Sequence, residues 1–170
     1  MTDIVTAVDR LFRARLEGIH TLIPAKIDSY DSDSRKATVV PLVRMRMESG
    51  PLITIPPIDN VPVVFPGSQA FSFVYPLAQG DTGALFFAES GIGNWLDSIP
   101  GKVVDPEDCS RFSLTDGIFI PGLWPWSGVP APKGSIIIGP DSLQLQDPGG
   151  CLIEMDGSKV TINGNLEVLK

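Results

Sequence analysis

Sixteen prolines and seventeen glycines punctuate this 170-residue chain, and they fall between short runs of Val, Ile, Phe and Leu rather than in one tract. Proline fixes φ and lacks an amide proton, and glycine weakens any regular element it interrupts, so long helices and long strands do not survive such spacing. What remains is a series of short strands joined by turns, the pattern of an all-β fold. The length suits one modest domain with appendages better than two full domains.

The N-terminus is the exception. Residues 3–17 (DIVTAVDRLFRARLE) are predicted to be helical, because Ile4, Val5, Val8, Leu11, Phe12 and Leu16, with Ile19 just beyond, fall within an arc of about 140°. Asp9, Arg10, Arg13, Arg15 and Glu17 are assigned to the opposite face, Thr2 to the N-cap and Gly18 to the left-handed position after the last turn. So short a helix is marginal alone. Its stripe of Ile4, Val8, Leu11, Phe12 and Leu16 is therefore expected to act as an assembly element, packing on its own domain, on a copy of itself or on another protein.

From Leu22 the period changes to two. LIPAKIDSY, the polar turn DSDSR and KATVVPLVRMRM predict a long hairpin, with Val39, Val43, Met45 and Met47 on one face. Further strands are expected at 52–55, 61–65, 71–75 and 84–88. Five or six short strands around one core suggest a small barrel, because closure removes edges that would aggregate. The following segment, DGIFIPGLWPWSGVPAPKG, holds four prolines and two tryptophans and is predicted to be an extended surface connector rather than a core element. The tail then shows three period-two pairs, Ile153 with Met155, Val160 with Ile162 and Leu166 with Val168, separated by the turns DGS and NGN. Three such strands cannot bury one face unaided, whereas strands wound with copies of themselves can.

The chain offers little to a catalyst. As a general base His20 would need a nucleophile and an orienting carboxylate gathered from elsewhere in the fold; the sequence shows no such constellation, and His20 reads as a residue at a helix end. Asp28, Asp31 and Asp33 resemble the opening of a calcium loop but lack its glycine at position six and glutamate at position twelve, so they read as a solvated turn. Asp105, Glu107 and Asp108 sit beside Pro106 with nothing apolar to raise a pKa. Gly91 and Gly93 are half of a phosphate-cradling loop whose third glycine is replaced by Leu96. Cys109 and Cys151 have the spacing of neither a disulfide framework nor a zinc site. The net charge of −7 repels polyphosphate, so Trp95, Trp124 and Trp126 read as protein-contact residues rather than base-stacking platforms. No catalytic residue, metal or cofactor is expected. No stretch approaches the roughly 18–20 apolar residues of a bilayer span, and the N-terminus lacks the features of a signal peptide, so a protein made and kept soluble in the cytoplasm is expected.

Three segments carry a family resemblance. GDTGALFFAES followed by NW resembles the barrel strand of phage baseplate spike proteins, RFSLTDGIFIPGLWP resembles the segment after the barrel in the Gp138-type membrane-piercing spike family, and GGCLIEMDGSKVTINGNLEV resembles the trimeric β-helix of the same proteins. The likeness spans about residues 21–170. It implies a mostly β protein: an N-terminal helix (1–20), an OB-like β-barrel (21–115), a connector (116–140) and a short trimeric β-helix or β-prism (141–170). It further implies a homotrimer at the end of a tail tube in the virion baseplate, held by hub and tube proteins and contacting the host envelope on infection. Ile153, Met155, Val160, Ile162, Leu166 and Val168 would form the trimer interface. Spikes of this kind often end in an iron tip held by His-x-His; this chain has no histidine after His20, so a separate tip protein over Leu166 and Val168 is expected instead.

The leading expectation is thus a non-enzymatic structural spike that caps the tube and helps breach the envelope. The alternatives are an OB-fold nucleic-acid-binding module, disfavoured by the acidic balance, and a cell-wall hydrolase, which needs two placed carboxylates.

Overall fold

The computed structural model describes residues 4–46, 50–129, 134–138, 142–146 and 149–164. Thr2, Met47, Leu166 and Val168 lie outside the described residues. The chain divides into two compact units, Met1–Trp124 and Pro125–Lys170.

The first unit begins with helix α1 (Ile4–Glu17), as the apolar periodicity predicts. A curled sheet follows, built from β1 (Leu22–Asp31), β2 (Lys36–Pro41), β5 (Ile58–Pro62), β6 (Thr82–Phe87) and β7 (Gly117–Pro121), in the order β5-β2-β1-β6-β7. All neighbours within it are antiparallel. Beyond β5 the chain reaches the other edge, where Val63 bridges Phe119 in parallel. This is a half-barrel of OB-like form. The two-residue strands β3 (Met45–Arg46) and β4 (Leu52–Ile53) pair in a separate arm.

Alternation explains the core. Ala25 and Ile27 on β1, Ala37 and Val39 on β2, Val61 on β5, Leu85 and Phe87 on β6 and Phe119 on β7 point inward, joined by Val63 and Phe65. Phe119, Ile27, Leu85 and Val39 are fully buried, each contributing about 1.5–3 kcal/mol by removal from water. Two irregularities bend the sheet. Asp28 is the extra residue where the β1–β2 register shifts, and Asn60, with φ of 58°, sits where the β2–β5 register shifts. Bulges of this kind increase local twist and favour curling.

The structure departs from the sequence expectations in three places. The segment 117–121, expected in a surface connector, is a core strand: Phe119 at its centre is completely buried, because the apolar GIFIP run precedes the Pro/Trp-rich stretch. Strand β2 stops at Pro41, so Val43 is half-exposed rather than aligned with buried Val39. Residues 71–75 form no named strand; Ser72 makes a single bridge to Gly67 within a tight turn.

The second unit contains four strands: β8 (Ser135–Ile138), β9 (Ser142–Gln146), β10 (Leu152–Asp156) and β11 (Lys159–Asn163). They form one antiparallel sheet in the order β11-β10-β9-β8. The tail strands thus find their backbone partners within their own chain. On one face of this sheet Ile136, Met155, Val160 and Ile162 are exposed.

Candidate functional site

The tail sheet concentrates apolar side chains by register. Ile136, Leu145, Ile153 and Ile162 stand opposite one another across the four strands, and Leu143, Met155 and Val160 form the next row. The other face is polar: the Gln144 amide donates to Glu154 Oε1 at 2.6 Å, and Thr161 stands opposite Glu154. On the apolar face Ile136 is 57% exposed and Val160 59%, with Met155 and Ile162 also exposed. None of the residues of this unit whose burial is described is buried.

Four of the six expected interface residues, Ile153, Met155, Val160 and Ile162, therefore share one face. Leu166 and Val168 lie outside the described residues. Sequence reading missed Ile136, Leu143 and Leu145 on that face, although SLQLQ alternates with period two and carried the signal.

A second apolar surface is the stripe of α1. Ile4, Leu11, Phe12 and Leu16 are each more than three-fifths exposed, and Val8 is 45% exposed, so the stripe is uncovered by its own chain. His20 follows it, its amide donating to the Phe112 carbonyl at 3.3 Å and its ring tilted on Phe87 at 5.6 Å. These are the contacts of a structural residue.

The acidic positions resolve into turn chemistry. Asp31 closes the β1–β2 hairpin, accepting from the Ser34 hydroxyl at 2.6 Å and the Asp33 amide at 3.0 Å. Those bonds, the Ser34 hydroxyl foremost, hold its carboxyl below the usual value. Ser110 likewise lowers Asp108, through its hydroxyl first and then its amide. Asp116, buried at the start of β7, accepts the Ile92 amide at 3.0 Å and ties the loop carrying α2 (Gly93–Leu96) to the sheet. With Asn60, Glu107 and Asp108 it lines a small notch. Among the described residues no group of three or more His, Cys, Asp or Glu side chains is placed to hold a metal. Cys109 and Cys151 are both exposed. No helix among the described residues is long and apolar enough to cross a membrane.

The surfaces that stand out are apolar, carried by α1 beside an OB-like half-barrel and by one face of the tail sheet. Among curated proteins, none matches the chain. Residues 23–122, which take in all of the curled sheet but Leu22, match the family model described as the phage protein Gp138 N-terminal domain, and the chain belongs to that family of phage structural proteins.

Proposed function

We propose that this chain is a non-enzymatic, homotrimeric spike of a phage tail baseplate, capping the tail tube and helping to breach the host envelope. The observation that carries the reading is the tail sheet, whose apolar face has register-matched rows in which Ile136, Leu145, Met155, Val160 and Ile162 are exposed. A sheet that is apolar on one face and polar on the other is stable in water only when the apolar face is covered. Three copies arranged about an axis cover it in a prism, with Ile153, Met155, Val160 and Ile162 inside and Gln144 and Glu154 outside. The sheet order leaves β8 and β11 as outer strands, so their free edges supply the lateral contacts between copies. Family membership supports the virion setting, and the exposed stripe of α1 suits an assembly element that joins the spike to its surroundings.

Light scattering of the full chain at micromolar concentration tests this. A mass of three chains is expected, and a monomer at that concentration overturns the reading.

A further inference from the structure

We propose that α1 of one chain seats on an aromatic knuckle, residues 64–75, of a neighbouring copy; this exchange rests on the homotrimeric reading above. Two large apolar surfaces stand open in the same unit. One is the stripe of α1, with Ile4 79% and Leu11 and Phe12 each 65% exposed. The other is the knuckle between β5 and β6, where Phe71 is 63% exposed and Val64, Phe73, Val74 and Tyr75 are exposed as well.

The knuckle is a built platform. The Ser68 amide donates to the Phe71 carbonyl at 2.6 Å, and the Phe73 amide donates to the Pro66 carbonyl at 2.9 Å. The Ser68 hydroxyl accepts from the amides of Ala70 and Phe71, each at 3.3 Å. Gly67 permits the turn, since a Cβ there would meet Ser72 Cβ at 2.5 Å and its Cα at 2.7 Å. Phe71 and Phe73 pack edge to face at 5.0 Å, and Tyr75 roots the turn in the core by packing edge-on against Phe65, also at 5.0 Å. A rigid, exposed aromatic surface loses little entropy when it is covered.

Charge favours a copy of this chain as the occupant. Three arginines against two carboxylates give α1 a charge of +1, leaving −8 on the remainder of a −7 chain. At the foot of the knuckle the Arg35 guanidinium lies 6.0 Å from the Phe65 ring, in a hairpin turn whose sequence also carries Asp31 and Asp33. The stripe offers on the order of 800 Å², what a standard interface takes from each partner. The His20 amide, pinned to Phe112, fixes where the helix leaves the sheet, and in its own chain both surfaces stay open. Passing the helix to the next copy around a closed ring covers both surfaces in every chain.

The test uses the full chain with Cys109→Ser and Cys151→Ser, carrying Leu11→Cys with Phe71→Cys, or Phe12→Cys with Phe73→Cys, all at exposed positions. A short bismaleimide is expected to join chains into species of two and three chain masses on a denaturing gel. A control with Leu11→Cys and Ser98→Cys should link several-fold less. Links confined within single chains, no links, or equal linking in the control, with a trimeric solution mass, sink the exchange and leave the trimer standing. A monomeric solution mass sinks both.

Discussion

Val63 and Phe119 form a parallel bridge between the two outer regions of the curled sheet, and the adjacent Val64 amide donates to the Phe119 carbonyl at 2.9 Å. The same residue whose backbone closes the curl fills its centre with a fully buried ring. Phe119→Ala should therefore cost about 3–5 kcal/mol through the cavity and the weakened closure. Chemical denaturation of the two proteins measures it; a loss under about 1 kcal/mol would mean the closure does not depend on that ring.

Gly83 faces this ring from β6. A Cβ at that position would meet Phe119 Cζ at 2.5 Å and Pro121 Cα at 2.8 Å. Gly83→Val is expected to destabilise the first unit by at least about 2 kcal/mol, because backbone cannot yield as a flexible side chain does. An unchanged melting temperature would show that β7 has room to move.

Much of this was legible in the sequence, and the reasons differ by element. Periodicity alone placed α1 and the β1–β2 hairpin, since both are local patterns. It failed at β7, where Pro121 and the tryptophans beyond it masked a five-residue strand whose burial depends on partners far away in sequence, Leu85 and Val63. It also failed at the knuckle: Phe71, Phe73 and Tyr75 alternate like strand residues, yet the Ser68 bonds and the Gly67 approach fold them into a turn. The apolar tail face was half visible, because Ile153 with Met155 and Val160 with Ile162 alternate plainly, whereas pairing β8 and β9 onto them is a matter of register.

Ile162 tests the tail face directly. Ile162→Asp sets a carboxylate in the row formed by Ile136, Leu145 and Ile153, where desolvation opposes it. The expected result is a monomeric mass at micromolar concentration with the aromatic near-ultraviolet dichroism of the first unit retained. Persistence of the trimer would locate the interface elsewhere.

Asp31 supplies a pH signature. Its folded pKa lies below the ordinary 3.8, so its contribution to the hairpin is present above that value and is lost as pH falls through it. Asp31→Asn removes the titration. The stability difference between wild type and variant should shrink as pH falls from about 5 through the lowered folded pKa; a gap constant across that fall would show that the Ser34 and Asp33 bonds do not depend on the charge.

Every fully buried apolar side chain among the described residues lies before Pro125. During synthesis the first unit can complete its core as soon as its own residues have left the ribosome, whereas the tail emerges later and, on the trimeric reading proposed above, waits for other chains. Maturation on this account is second or third order in protein, slow when copies are scarce and fast when many nascent chains share one messenger. Expression level, rather than sequence alone, then governs how much of the product is finished.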